Sequence, residues 1–194
     1  MSQESQKKFG PLSGMKVIEL SHIMAGPVCG LMLADMGADV IKVEKIPGGD
    51  DSRRFLPPDI EGESAAYMMM NRNKRGLALN LKSPKGRALL LKMVKNADVL
   101  VENFRGGTMD KLGLGYEALK AENPGLIYCA ITGYGRTGPY ADKGGFDLIA
   151  QGFAGLMSIT GEAGRPPAKS GNAVSDMNAG ILAALGILAA YIHK

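Results

Sequence analysis

The stretch K-V-I-E-L-S-H-I-M-A-G-P-V-C-G-L-M-L-A-D-M-G-A-D-V-I-K-V-E, residues Lys16 to Glu44, decides the fold. Lys16 to Leu20 reads as a short strand, and Ser21 to Gly26 as a turn. Pro27 opens a helix, where its missing N–H costs nothing. Val28, Leu31, Met32 and Met36 then recur at helical spacing, Gly37 ends the helix, and Ala38 to Glu44 is a second strand. Strand, helix and strand at this spacing make a βαβ unit, whose strands run parallel.

Working outward, the segment Lys45 to Asn73 is rich in Pro, Gly and charge and reads as a long functional loop with one helical piece at Ser64 to Met70. Leu77 to Leu81 is a predicted strand. Ser83 is the N-cap of a helix running from Pro84 to Asn96, with Leu89, Leu90, Met93 and Val94 on its apolar face. A strand at Asp98 to Val101, short helices at Gly106 to Leu112 and Tyr116 to Glu122, and a strand at Leu126 to Thr132 follow. A Gly-rich loop (Gly133 to Gly145), a helix (Asp147 to Ile159), a loop (Gly161 to Val174) and a last apolar helix complete the chain. The alternation predicts an α/β fold, a Rossmann-like open and mainly parallel sheet with flanking helices. Residues 1–13 read as a polar tail and 14–194 as one α/β portion. The final helix, from about 176 to 194, carries no stop signal and is expected to lead toward a further domain.

Composition narrows the classes. Hydrophobic residues are 45% and charged residues 22% of the 194, which excludes a disordered or fibrous chain. The 27 glycines follow no collagen-like period and imply tight turns and close backbone approaches. A net charge of +4 is too mild to indicate nucleic acid, and scarce aromatics with no Trp weigh against single-strand binding. The distribution of charge says more: between Arg53 and Lys95 ten basic residues face three acidic ones, which points to a phosphate-bearing partner or to a solvated helix face. Cys29 and Cys129 are separate and apolar in context, so neither a metal site nor a disulfide framework is expected. Met1 to Gly10 lacks the apolar core of a signal peptide. The run Ala179 to Ile192 is short of the roughly 20 residues a membrane span needs. A cytoplasmic protein with no membrane partner is the expectation.

Three motif readings compete. The first βα turn is where an open α/β sheet binds its ligand, but S-H-I-M-A-G-P is not G-x-G-x-x-G, so a nicotinamide or flavin enzyme is disfavoured, although Glu44 mimics a ribose-binding acid. Ser21 beside His22 does not make a serine hydrolase, because no G-x-S-x-G and no second usable His accompany it, and a structural role for His22 is preferred to general-base catalysis. Asn71 to Arg75 brings three cations and two amides to a strand entry, and Glu102 to Gly107 brings an amide, an aromatic ring and two glycines to a strand exit. Together they suit a phosphorylated, adenine-bearing ligand. Taken singly, each is equally well read as loop-edge charge beside a core Phe.

The ordered set G-M-K-V-I-E-L-S-H-I-M-A-G-P, G-A-D-V-I-K-V-E, N-R-N-K-R-G-L-A-L-N-L-K, A-D-V-L-V-E-N-F-R-G-G and G-Y-G-R-T-G-P closely resembles the class III coenzyme A transferase family from Pro11 onward. Family members are roughly twice this length, so the chain resembles an N-terminal half. The resemblance implies acyl-CoA and carboxylic acid as substrates and partners, CoA as a substrate with no tightly bound cofactor, no metal, and a homodimer in the full-length form. It also places the catalytic aspartate at Asp176, in S-D-M-N-A-G, which from sequence alone reads as a helix N-cap or first-turn acid. The implied chemistry is attack on a thioester carbonyl, giving an aspartyl anhydride and then an aspartyl-CoA thioester, with a helix N-terminus keeping Asp176 ionised.

For CoA, the resemblance implies contacts from His22, Ile23, Met24 and Ala25, from Lys74 and Arg75, and from Asn103, Phe104 and Arg105, with Lys45 and Lys111 near the phosphates. The racemase branch resembles G-H-D in the loop before the Asp-bearing helix, whereas this chain has Gly145-Phe146-Asp147. Phe146 cannot exchange an α-proton, so transfer is preferred to racemisation. A non-catalytic CoA-binding module is the remaining alternative.

Overall fold

A computed structural model describes residues 9–194; the first eight residues of the expected polar tail lie outside the described residues. The chain forms β1 (Lys16–Leu20), α1 (Ala25–Asp35), β2 (Asp39–Glu44), a 3₁₀ turn (Asp51–Arg54), the hairpin β3 (Asp59–Ile60) and β4 (Glu63–Ser64), and α2 (Ala65–Asn71). It continues through β5 (Arg75–Ala78), α3 (Pro84–Val94), β6 (Val99–Glu102), α4 (Thr108–Lys111), α5 (Tyr116–Glu122), β7 (Ile127–Ala130), α6 (Asp147–Phe153), a second 3₁₀ turn (Leu156–Ile159) and α7 (Val174–His193). The main sheet has five strands in the order β5-β2-β1-β6-β7, all parallel, so the strand order reverses between β1 and β6. This is the doubly wound arrangement that the βαβ reading of Lys16–Glu44 predicts.

Period-two alternation sends side chains to two cores. Val17, Val40, Val99 and Val101 face one layer, where Cys29 and Leu33 of α1 and Ala184 and Ile187 of α7 cover them. Ile18, Leu20, Val43 and Leu100 face the other, beneath Leu90 and Val94 of α3 and Leu119 of α5. Cys29 is buried and Cys129 half-buried, both as free thiols.

Local signals fix several boundaries. Ser83 Oγ accepts from Gly86 N (3.0 Å) and Pro84 stands at the first helical position of α3. Gly37, at φ 101°, ends α1. α1 starts two residues before Pro27, and that proline's missing donor still falls among the unpaired amides of the first turn. The strand expected at Leu77–Leu81 instead covers Arg75–Ala78, because β2 pairs only that far: Ile41 lies opposite Arg75 and Glu44 opposite Ala78. Leu79 and Leu81 are apolar because they pack on the α3-side core. The helix expected over Asp147–Ile159 breaks at Gly155, which takes φ 80° and starts a 3₁₀ turn.

α7 is long and apolar enough, by length and composition, to cross a membrane. Here it lies on α1, burying Gly180, Ala184 and Ile187 and leaving Leu182 and Leu185 outward. The approach requires Gly180: a Cβ there would sit 2.5 Å from the Ala25 carbonyl oxygen and 2.8 Å from Val28 Cβ. Gly186, on the same helix, has nothing within 4 Å of the equivalent position. Gly180→Ala is therefore expected to destabilise by about 1–3 kcal/mol through overpacking. Gly186→Ala is expected to stabilise by up to about 1 kcal/mol through helix propensity alone. Urea unfolding of the two variants checks the opposite signs.

Candidate active site

The turn Ser21–Met24 leaves β1 at the point where the strand order reverses, and three separate anchors hold its backbone. Asn103, just past β6, accepts from His22 N (2.9 Å) through Oδ1 and donates through Nδ2 to the His22 carbonyl oxygen (2.9 Å). Asp50 accepts from Ile23 N at 3.0 and 3.2 Å. Lys42 donates to the Ser21 carbonyl oxygen (3.0 Å). These bonds keep Ile23, a β-branched residue, at φ 66°, a conformation such residues adopt only under constraint.

Two of the anchors belong to a buried cluster of four charges. Glu19 and Lys42 lie opposite each other in the β1–β2 register, on the face covered by α1. Lys42 Nζ is 3.0 Å from Glu19 Oε1 and 2.8 Å from Asp50 Oδ2, and Lys74 Nζ is 2.8 Å from Glu19 Oε2. All four side chains are essentially inaccessible. Gly26 and Gly30 of α1 make the room: a Cβ at Gly26 would meet the Ser21 side chain, and one at Gly30 the Glu19 carboxylate. Burial disfavours the Lys42 ammonium, but Glu19 and Asp50 outweigh it and raise its pKa. Burial likewise opposes the Asp50 carboxylate, and the Lys42 charge together with amide donors holds it at about 2. Burial brings Lys74 down to about 8 in spite of Glu19.

Above this base lies a cavity of about 290 Å³. Its walls are His22 to Ala25 from the first turn, Asn103, Phe104 and Arg105 from the loop after β6, Tyr134 and Lys143 from the Gly-rich loop, Phe146, and Ser175 and Asp176 from α7. The His22 and Phe104 rings stack with centroids 5.9 Å apart. Burial lowers the His22 pKa, with Asp50 and Asp51 opposing. Glu102, buried at the end of β6, accepts from Phe104 N (2.8 Å) and Tyr128 Oη (3.2 Å), and burial raises its pKa.

The structure thus gathers His22, Ile23, Met24, Ala25, Asn103, Phe104, Arg105 and Asp176 around one cavity. It places the other expected residues elsewhere. Lys74 spends its ammonium on Glu19, Asn71 Oδ1 (3.0 Å) and the Pro27 carbonyl oxygen (2.8 Å). Arg75 opens β5 at the opposite end of the sheet and forks onto Asp39. Lys45 bonds Asp51, and Lys111 stands exposed at the end of α4. The basic excess of residues 53–95 is largely neutralised across the fold: Arg53 pairs with Glu44, Arg54 with Asp51, Arg72 with Asp35, Lys74 with Glu19, Arg75 with Asp39 and Lys95 with Glu122. All of these acids lie outside that segment. Glu44 binds Arg53, Tyr67 and Asp50 N rather than presenting a ribose-binding acid.

The α7 amides that the sequence reading expects to favour the Asp176 carboxylate are taken by another acid. Burial, then the neighbouring Asp147, raises the Asp176 pKa above the ordinary aspartate value. Asp147 itself takes the α7 amides, accepting from Ser175 N (2.8 Å) and Asp176 N (3.3 Å). Sequence reading passed over Asp147 as a helix start and over Glu19, Lys42 and Asp50 altogether. The available signal was a Glu and a Lys at core-facing positions of apolar strands, with Gly26 and Gly30 four apart in the helix above. Among the described residues no group of His, Cys, Asp and Glu is arranged to hold a metal.

An open parallel sheet with its cavity at the reversal of strand order and a carboxylate on the wall defines a Rossmann-like ligand-binding domain. The chain belongs to CoA-transferase family III, whose sequence model matches residues 12–194. It is 53% identical over 189 residues to a succinate–glutarate CoA-transferase of Agrobacterium fabrum, covering 94% of this chain and 47% of that protein. It is 41% identical to the human succinyl-CoA:glutarate CoA-transferase, covering 99% and 44%. A crystal structure of a CaiB/BaiF family protein from Brucella suis superposes with a TM-score of 0.91 at 48% identity, covering 95% of this chain and 50% of that one. The chain spans about half the length of the curated relatives it matches.

Asp50 has an acid signature. Its carboxylate is depressed from 3.8 to about 2, so the stability it confers is complete above the unfolded value and lost as pH falls through the folded one. Asp50→Asn is expected to cost about 3–5 kcal/mol at pH 7 by breaking a buried pair and to flatten the loss of stability between about pH 4 and 2. Urea unfolding at successive pH values reads both effects.

Proposed function

We propose that the complete protein transfers CoA from an acyl-CoA to a carboxylic acid, with Asp176 as the nucleophile. The observation that carries this reading is the position of Asp176 on the same cavity as His22–Ala25 and Asn103–Arg105. A carboxylate suits the task because it attacks a thioester without a base to deprotonate it. Asp176 Oδ adds to the donor carbonyl and CoA leaves as thiolate, giving a mixed anhydride. The thiolate then attacks the aspartyl carbonyl, releasing the donor acid and leaving aspartyl-CoA. The acceptor carboxylate attacks that thioester, expelling the thiolate again, and the thiolate takes the acceptor's acyl group, which restores Asp176. Both intermediates hydrolyse, so the cavity has to exclude water.

His22, Ile23, Met24, Ala25, Asn103, Phe104 and Arg105 are the CoA contacts this reading retains, with Phe104 offering a face to the adenine or pantetheine. The names of relatives, which join succinyl-CoA to glutarate or mesaconate, lead us to read the acceptor as a dicarboxylic acid. Arg105 and Lys143 on the cavity wall supply the cations that a second carboxylate needs. Racemisation is disfavoured because Phe146 stands on the wall where that branch places a His. We also read the complete protein as a cytoplasmic homodimer that binds neither nucleic acid nor membrane, the outward face of α7 being packed on a second copy.

Asp176→Asn in the complete protein is expected to abolish CoA transfer and trapping of an aspartyl-CoA adduct by mass spectrometry; retained turnover overturns the assignment. Because burial and then Asp147 raise the Asp176 pKa, the rate is expected to fall on the acid side earlier than a free carboxylate would dictate. In a thermal-shift titration, CoA at 100-fold excess over Kd is expected to stabilise the 194-residue chain by about 2.7 kcal/mol. The shift should weaken with 3′-dephospho-CoA and be absent with NADH. Preference for NADH overturns the CoA reading.

A further inference from the structure

α7 begins without a cap of its own. Its N-cap residue is Ala173, which has no side-chain acceptor. The amides that an N-cap side chain ordinarily serves are those of the second and third helical residues, here Ser175 and Asp176. Asp147 Oδ1, reaching across from the first turn of α6, takes both. Its second oxygen is fixed by Gln151 Nε2 (2.6 Å), and Gln151, itself 1% exposed, accepts from Ser170 N (2.8 Å) in the loop that leads into α7. Asp176 is the third helical residue, the position from which a Glu or Gln commonly reaches back to the N-cap N–H, here that of Ala173. No described residue donates a hydrogen bond to the Asp176 carboxyl, and Asp176 lines the cavity.

We propose that Asp147 is a positioning residue for Asp176: it caps α7 from the neighbouring helix, and its negative charge keeps the nucleophile out of its own helix end and turned to the cavity. This rests on the reading of Asp176 as nucleophile. The other titratable groups on the cavity walls are His22 from the first turn, Arg105 from the loop after β6, and Tyr134 and Lys143 from the Gly-rich loop. Asp147 is the charge whose effect reaches Asp176, and the direction it imposes agrees with the geometry.

Two variants separate cap from charge. Asp147→Ala removes both; Asp147→Asn keeps an acceptor oxygen and removes the charge. On the 194-residue chain, hydrogen exchange of the Ser175 and Asp176 amides reads the cap, and ¹³C titration of the Asp176 carboxyl reads the charge. The alanine variant is expected to exchange about tenfold faster or more at both amides, the loss of roughly one hydrogen bond's worth of protection. In both variants Asp176 is expected to titrate at lower pH than in the parent. In the complete protein, kcat is expected to fall by about ten- to a hundredfold in the alanine variant with KM for CoA little changed, the signature of a misplaced reacting group. The asparagine variant should recover part of that loss, with its acid limb moved to lower pH. Unchanged amide exchange in Asp147→Ala, or an Asp176 titration in Asp147→Asn that stays at the parent value, overturns the proposal. Should the alanine variant fail to fold, the asparagine titration alone decides. Turnover retained by Asp176→Asn would sink the nucleophile reading, while the exchange and titration measurements still judge the cap.

Discussion

The contact between Lys42 and its two carboxylates, Glu19 and Asp50, is what the rest of the site stands on. Burying four charges beneath α1 is expensive, and an apolar cluster of the same volume would often be as stable or more so. What hydrophobic residues would not supply is direction. Lys42 reaches the Ser21 carbonyl and Asp50 reaches Ile23 N, so the cluster ties the second strand and the long loop to the turn that leaves the first. Asn103 adds a reciprocal pair of bonds from the far side of the strand reversal. The left-handed Ile23 is held from three directions, which is how a strained turn persists. Two lysines and two acids cancel formally, so the cluster fixes the turn without imposing a net charge on the cavity above.

A second constraint is steric. α7 packs this closely on α1 because Gly180, one turn beyond Asp176, lets it touch Ala25 and Val28. The end of α7 is completed by α6 through Asp147 and Gln151 rather than by its own sequence. The catalytic candidate, the first-turn residues and the loop after β6 therefore depend on two packed layers agreeing in position. A helix carries the first and hydrogen bonds with Asn103, Asp50 and Lys42 fix the turn, which suits a reaction sensitive to the placement of a carboxylate within an ångström or so.

The fold was largely legible. Lys16–Glu44 announces β1, α1 and β2 through strand alternation, helical spacing and Gly37, and Ser83-Pro84 announces α3 through its cap. Errors fell where tertiary packing overrides local pattern: Leu79 and Leu81 look like strand but fill the core beneath α3, and Gly155 breaks what periodicity reads as one helix. Of the expected contact residues, those flanking the strand reversal came together because parallel topology sends the ends of β1 and β6 to one place. Lys74 and Arg75 did not, because a basic residue in a charge-rich segment carries no mark of which acid it will meet. Glu19 waits 55 residues away in sequence for the first, and Asp39 lies across a strand pair from the second.

By itself, then, the sequence determined the parallel α/β plan, the place of the first turn at the mouth of the sheet, and the family, because short-range patterns and ordered motifs are local properties of a chain. Tertiary structure alone decided which charges are spent inside the fold and which line the cavity, that Asp147 serves the end of a helix 29 residues away, and that burial and Asp147 raise the Asp176 pKa. Ion pairing, capping between helices and desolvation depend on distances through space, and those exist only once the layers have packed.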